Sequence, residues 1–534
     1  MSPMTEKSGF NHKFFENIMR NIHRKIVKKL ENRDTSLGLL FAMFISVVFL
    51  RTFLEVVLGV GKMTTVIALA LHYPMFYLSL LITLASILRI FSGERMEKII
   101  RVLIPAYSII VLPPIVDLIF WGIGGFRPKY LFFSGGDLKN IFSMFITFFG
   151  HSSLRTGITL GMRIEIALGL LGIGWYVRQK SGRWWRSILA VIIAYVLIFC
   201  YVSQPIFHRF ARRLALYLGF VRQGELGWTQ FWMLVITFQF PILMYLWNKK
   251  KFTGIFGNLR PFRTVHFEAM FLLGFYLGVR GKIGLLAETN LYHLVFSLLS
   301  FFFAWEFSVV VNDIIDIEID KVTNRNRPLA VGVLTKMEMS HLAIFYLLFS
   351  VLSAGLINGR LLFVVLSFVA VYWLYSVPPA RLKRIPVLSA AITSFASIMP
   401  IFGGVIIAGR HPIAAPENIL WAIFIAFAIS FNAKDLKDCL GDEKAGIKTL
   451  MTIFGCQRGR QLIGILVMVS YTIFPMIVGI WDYRVILVSI VFGALSMLMI
   501  LKDIGEWAIF LTYFLYFSVF MLFFKRIFEV ALFS

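Results

Sequence analysis

Acidic side chains are scarce. The chain of 534 residues has 28 Asp and Glu against 53 Lys and Arg, a formal charge of +25. Charge of either sign makes up only 15% of it, while 59% is apolar and the mean hydropathy is +0.80. That balance excludes an ordinary soluble protein, whose apolar share is nearer half. The basic excess does not make a nucleic-acid binder, because Lys and Arg gather in short loops between long apolar runs, where positive charge marks the cytoplasmic side of a membrane. Cysteine is rare too. Cys200, Cys439 and Cys456 form no CxxC pair and no metal-ligand spacing, so they point neither to a disulfide framework nor to zinc. The N-terminal stretch does not read as a secretory leader. The first 36 residues are polar and basic, with no short apolar core followed by a cleavage site. Within them, Phe10 to Leu30 reads either as a basic amphipathic helix on a membrane face or as a solvated tail.

What is abundant is apolar sequence in runs long enough to cross a hydrocarbon core as helices. The 55 Phe and 12 Trp suit lipid contact and interfacial belts. Spans fall near 37–60, 66–90, 98–123, 156–177, 187–204 and 229–247. The charged stretch WNKKKFTGIFGNLRPFR, Trp247 to Arg263, then interrupts the pattern. Nine further spans follow, near 264–279, 291–312, 341–357, 361–376, 388–408, 418–433, 461–480, 485–501 and 507–524. The fold expected is therefore an all-α polytopic membrane protein with six plus nine spans. It divides into a basic cytoplasmic tail (1–36), an N-terminal transmembrane domain (37–250) and a nine-helix domain (251–534). Loop charge places the N-terminus in the cytoplasm, and the membrane is the plasma membrane if the source is prokaryotic. Residues 139–150 are too short to span and read as a re-entrant piece; His208 to Gln223 reads as interfacial.

The few acids are not scattered. NDIIDIEIDKVTNRNRPL, Asn312 to Leu329, puts Asn312, Asp316 and Asp320 at helical offsets 0, 4 and 8, on one face, with Asp313 one residue off it. Glu318 points elsewhere. NAKDLKDCLGDEKAGIKTL, Asn432 to Leu450, repeats the idea with Asp435, Asp438 and Asp442 at offsets 0, 3 and 7. Each stretch follows an apolar span of similar character, as equivalent positions in a pseudo-repeat. Between them lies YSVPPARLKR, Tyr375 to Arg384, where Pro378 and Pro379 must end a helix. That leaves Tyr375, Arg381, Lys383 and Arg384 on the same membrane face, joined by Arg327. A single acidic loop between spans is usually a solvated loop. Two acidic helical faces with cationic loops between them fit a metal-bridged polyanion: carboxylates hold Mg²⁺, Mg²⁺ holds phosphates, and Lys or Arg takes the remaining oxygens.

These stretches resemble a known family. Asn312–Asp320 fits NDxxDxxxD, Asp435–Asp442 fits DxxDxxxD with a trailing GD and GIKTL, and Tyr375–Arg384 is similar to YSxPPxRLKR. With nine spans after the linker, residues of about 260 to 534 resemble the UbiA family of intramembrane prenyltransferases. The resemblance implies a nine-helix bundle around a central cavity open sideways to lipid. It also implies a Mg²⁺-dependent transferase that moves the prenyl group of a polyprenyl diphosphate to an acceptor. Asn312, Asp313, Asp316, Asp320, Asp435, Asp438 and Asp442 match the family's Mg²⁺–diphosphate positions, with Asp316, Asp320, Asp438 and Asp442 the catalytic set. Arg327, Tyr375, Arg381 and Lys383 would bind diphosphate. Arg260, Arg263 and His266, with Glu268 nearby, would meet the acceptor, an aromatic ring or a lipid of glycerol-phosphate type; an anchoring role on the cytoplasmic face also suits both arginines. The partners expected are thus the prenyl diphosphate, an acceptor and membrane lipids, and no nucleic acid. The rival reading is an ion-coupled transporter that uses the acids as cation sites. Broken helices at the membrane midplane would favour it, but both acidic stretches lie at helix ends beside basic loops. The first half offers no motif. Its charges inside apolar runs are Arg51, Glu55, Asp117, His151, Arg155, Arg163 and Glu165.

Overall fold

The computed structural model describes residues 25–59, 68–129, 131, 138–150, 154–205, 213–214, 227–282, 284, 289–437, 439, 443 and 448–533. Fifteen long helices carry the architecture, numbered here α1 to α15. The first six are α1 (Leu37–Leu58), α2 (Ala70–Ser92), α3 (Met96–Trp121), α4 (Leu160–Ser181), α5 (Trp184–Val202) and α6 (Gly227–Trp247). The other nine are α7 (Pro261–Gly278), α8 (Leu291–Ile315), α9 (Lys336–Gly355), α10 (Gly359–Ser376), α11 (Pro386–Ile407), α12 (Glu417–Ser430), α13 (Cys456–Val478), α14 (Tyr483–Leu501) and α15 (Glu506–Phe523). Among the described residues fourteen stretches are long and apolar enough to cross a membrane, α12 counting with the 3₁₀ turns that extend it to Lys437. The exception is α7, which carries Arg263, His266 and Glu268 in its first half. The six-plus-nine pattern of the sequence is thus the pattern of helices. The protein is an all-α, multi-pass membrane protein; two two-residue strands, Arg127–Pro128 and Thr156–Gly157, are the extended pairing among the described residues.

The chain packs as two compact units that divide between Phe252 and Thr253, inside the short basic helix Lys249–Gly257. In the first unit the intramembrane charges find local partners. Arg51 pairs with Glu55 at 2.6 Å, one turn along α1, and lies within the field of Glu165. Asp117 accepts the Gly161 N–H at 2.9 Å. Arg163 donates to the carbonyls of Phe148, Phe149, Gly150 and Ile158, and so closes the loop before α4. The Arg155 guanidinium lies over the Trp121 ring, 4.4 Å from its centroid. The stretch expected to re-enter the membrane is a nine-residue helix, Leu138–Ile146. His151 and all but two residues of the expected interfacial stretch 208–223 lie outside the described residues, as does most of the N-terminal segment.

In the second unit, α7 and α11 make the closest approach. A Cβ on Gly274 would sit 2.0 Å from the Ile401 carbonyl oxygen, and one on Gly404 would sit 2.1 Å from that of Phe271. Only glycine lets the two backbones meet at these points. The contact fixes the register of α7 against α11, and with it the height of His266 opposite Ser397. α8 and α9 are tied by the Ser350 hydroxyl, which donates to the Ser300 carbonyl at 2.8 Å. A buried aromatic layer, with Phe267, Phe271, Phe301 and Phe368 at its centre, joins α7, α8, α10 and α11. Outside, large apolar side chains such as Phe363, Leu487 and Leu522 are exposed, as lipid-facing surfaces require.

Candidate active site

α10 ends at Ser376, just before the two prolines, as Pro379 and its neighbour dictate. The loop then turns through Arg381, whose φ of +38° is left-handed, and sends Lys383 back toward the end of α8. The end of α8 is where the first acidic stretch departs from a single helical face. The helix stops at Ile315, Asp316 caps it, and a new helix runs from Ile317 to Thr323. Backbone bonds still bridge the bend, Asp316 N–H to Asn312 at 2.9 Å and Asp320 N–H to Asp316 at 2.9 Å. Asn312, Asp316 and Asp320 therefore still reach one cavity. Glu318 is exposed and pairs with Lys321, a bystander as expected.

That cavity has a volume of about 290 Å³ and lies wholly within the second unit. Its polar mouth is formed by Asn312, Asp316, Asp320, Asn324, Arg327, Lys383, Lys434 and Asp435. Its wall is aromatic: Phe267, Trp305, Tyr372, Phe427, Tyr471, Phe474, Tyr513 and Phe517 contribute from six helices. Each acid of the first stretch faces a cation. Asp316 accepts from Arg381 at 2.8 Å and from Lys383, and Lys383 also donates to the Asn312 side-chain oxygen at 3.0 Å. Arg327 bridges Asp313, at 2.7 Å, and Asp320. Burial pushes the Asp320 carboxyl up to about 6; Arg327 opposes the shift and the neighbouring Asp313 adds to it.

Three of the expected site residues stand elsewhere than on the cavity wall. Asp313 is buried behind it, where it accepts from Arg327, from Arg260 at 3.0 Å and from Asn258 at 2.8 Å. Arg381 stands behind Asp316, with its Nε buried and unpartnered. Glu268, further along α7, is also absent from the lining. Arg260, Arg263 and His266 do line the cavity. Their cations are held by acids rather than left at the membrane face: Arg260 by Asp313, and Arg263 by Glu506 at 2.7 Å.

Of the three aspartates in the second acidic stretch, only the first is described. Residues Phe431–Lys437 form 3₁₀ turns, which bring Asp435 to the cavity. Asp438 and Asp442 lie outside the described residues. Cys439 is bonded to Cys456, with their Cα atoms 6.1 Å apart. The spacing of the cysteines did not point to a disulfide, and these two, 17 residues apart, are paired by the fold. Sequence reasoning missed Lys434 and Glu506. Lys434 stands 4.8 Å over the Tyr375 ring and donates to Ser389 at 2.5 Å; its place directly before Asp435 was the available signal. Glu506 opens α15 and takes both Arg263 and Lys437, and nothing local marks it.

Among the described residues no three His, Cys, Asp or Glu side chains converge closely enough to hold a metal alone. The donors present are nonetheless oxygen donors only, which suits Mg²⁺, a cation that takes one or two carboxylates and completes its shell with water and substrate phosphate.

A membrane bundle with an acid-and-cation mouth above an aromatic cavity is the class of protein these features define. Comparison supplies the family. Residues 269–507 match the model of the UbiA prenyltransferase family. Homogentisate solanesyltransferase of Arabidopsis thaliana is 32% identical over 30% of this chain, which spans 44% of that protein, less than half its length. Digeranylgeranylglyceryl phosphate synthase of Thermococcus sibiricus is 28% identical over 34% of this chain and 67% of its own length. A solved UbiA homologue from Archaeoglobus fulgidus, bound to GPP and Mg²⁺, is 21% identical, covers 52% of this chain and 99% of its own, and aligns with a TM-score of 0.40.

Proposed function

We propose that the protein transfers the prenyl group of a polyprenyl diphosphate to an acceptor within the membrane, in a Mg²⁺-dependent reaction carried out by the second unit. The observation that carries this reading is the meeting of Asn312, Asp316, Asp320 and Asp435 with Arg327, Lys383 and Lys434 at the mouth of one aromatic cavity. Asp316, Asp320 and Asp435, with Asn312 and with Asp438 and Asp442 of the second motif, would hold Mg²⁺. The ion supplies Lewis-acid neutralisation of the diphosphate when bound. Arg327, Lys383 and Lys434 donate to the diphosphate oxygens, where negative charge grows as the allylic C–O bond breaks. Asp313 and Arg381, behind the wall, hold Arg327 and Asp316 in position. The aromatic wall keeps water out and faces the positive prenyl carbon with ring π-clouds.

Arg260 and Arg263, on the wall beside His266, suit an acceptor that carries a phosphate or carboxylate. The acceptor is then an aromatic acid or a glycerol-phosphate lipid, the two chemistries named by the relatives from Arabidopsis and Thermococcus. A transporter that used these carboxylates for bare cations would not set Arg327, Arg381 and Lys383 on them, so the charge pattern favours a phosphate-bearing substrate. Basic residues crowd the linker and the loops at the cavity mouth, which supports an N-terminus in the cytoplasm. The test uses membranes of the full chain with labelled geranylgeranyl diphosphate and both acceptor types. EDTA should abolish prenylated product and Mg²⁺ should restore it. Full activity in EDTA refutes the reading.

A further inference from the structure

His266 is buried on α7, and both of its ring nitrogens are engaged. Nε2 lies 2.9 Å from the Ser397 hydroxyl and Nδ1 lies 3.2 Å from the Tyr513 hydroxyl. The direction of each bond follows from one proton. Ser397 has a single hydroxyl hydrogen, and its oxygen is 3.2 Å from the Thr393 carbonyl one turn earlier, which can only accept. With that hydrogen given to Thr393, the Ser397 oxygen receives Nε2–H. A neutral imidazole protonated at Nε2 has a bare Nδ1, and the Tyr513 O–H must then donate to it. His266 and Tyr513 line the same cavity as Asp316. Arg263, three residues before His266 on α7, is paired with Glu506 at 2.7 Å.

We propose that Tyr513 and His266 form a relay that removes the hydroxyl proton of the prenyl acceptor. The inference rests on the transferase reading and adds the acceptor's chemistry: it presents an O–H to Tyr513. As the C–O bond to diphosphate breaks, its electron pair leaves with the diphosphate. The acceptor oxygen, or the ring carbon it activates, forms the new bond to the prenyl carbon. The acceptor's proton passes to Tyr513 Oη while the Tyr513 proton passes to His266 Nδ1. The products are prenylated acceptor, diphosphate and an imidazolium, with one proton moved and nothing oxidised. In the ring case the surplus ring proton returns to the oxygen when aromaticity is restored. An alcohol on a glycerol-phosphate lipid and a phenol both satisfy this geometry, and the two arms of the experiment separate them.

The full chain in detergent, with Mg²⁺ and geranylgeranyl diphosphate, is given either a glycerol-phosphate ether alcohol or a phenolic acid. His266→Gln keeps a donor for Ser397 and an acceptor for Tyr513 but takes no proton; Tyr513→Phe removes one oxygen. For the acceptor that the wild type uses, kcat should fall about 10²–10⁴-fold in both variants. Acceptor KM and diphosphate affinity should hold within about threefold, the pattern of an interaction made only in the transition state. Without transfer, the ionised prenyl group should be captured by water, so the yield moves from prenylated acceptor to prenyl alcohol. Imidazole added to His266→Ala should restore part of the transfer. Variants with wild-type kcat overturn the relay, as do variants whose diphosphate affinity falls in step with kcat. A wild type that neither binds nor ionises the diphosphate overturns the transferase reading itself.

Discussion

Asp316 is the most informative single position. Its side chain is 10% exposed and faces Arg381 and Lys383, themselves 14% and 11% exposed. Asp316→Asn leaves the shape nearly unchanged and removes one buried negative charge from two cations. Breaking a buried pair by taking away one partner costs about 3–5 kcal/mol. Lys383 keeps its contact with Asn312 at 3.0 Å, and an amide oxygen still accepts from Arg381, so the lower end, about 3 kcal/mol, is expected. In a unit of this size that is an apparent Tm drop of about 6–12 °C in detergent. Activity should fall further, by about 10²–10³-fold per folded molecule, because the residue also serves the leaving diphosphate. The double variant Asp316→Asn, Lys383→Met separates the two effects. Removing the uncompensated ammonium should recover most of the stability and none of the turnover, a non-additive cycle in one observable only. Turnover of Asp316→Asn within threefold of wild type refutes the assignment. So does recovery of activity in the double variant, which would reduce Asp316 to a structural counter-ion.

Protons and metal should compete at Asp320. Its carboxyl is pushed up to about 6, so below that pH it is neutral and cannot hold a cation. The ionised fraction falls about tenfold from pH 7 to pH 5, and the Mn²⁺ concentration for half-saturation in the presence of inorganic diphosphate should rise about tenfold over the same range. A flat profile contradicts this, and Asp320→Asn should lose the dependence. In topology, cysteines placed at Lys336 and Arg384 should react with a membrane-impermeant maleimide only after cells are opened. Labelling of either in intact cells breaks the orientation, since both loops must meet at the diphosphate.

The helices were legible because lipid imposes a length and a composition on every span. The two acidic stretches were legible because carboxylates are costly there, and the spacing of the first survives the bend at Asp316. What could not be read was set by partners distant in sequence. Arg260 and Arg263 read as positive-inside anchors, and their partners Asp313 and Glu506, from α8 and α15, are visible only in the fold. His266 and Tyr513 are 247 positions apart, so no local pattern pairs them. Asp313 reads as one more metal ligand because it stands in the motif; its contacts with Arg260, Arg327 and Asn258, just off the cavity wall, could not be read from the motif.

That bend has a consequence for how the site accepts its substrate. Along the first acidic stretch three carboxylates, Asp313, Asp316 and Asp320, pair at hydrogen-bond distance with four cations, Arg260, Arg327, Arg381 and Lys383, which leaves one positive charge in excess. A divalent cation arriving alone must displace Arg and Lys from Asp316 and Asp320 and leave those cations buried without partners. A diphosphate arriving alone must draw the cations away and leave the carboxylates bare. Either half-step strands buried charge, which costs several kcal/mol per ion. Arriving together they exchange partners: carboxylates turn to the metal, Arg327 and Lys383 turn to phosphate oxygens, and no charge is left alone. On the proposed function the two ligands should therefore be coupled, each raising the affinity for the other by the same factor. The same pairs that hold the ligand-free mouth together make it respond to the metal–diphosphate complex rather than to either component.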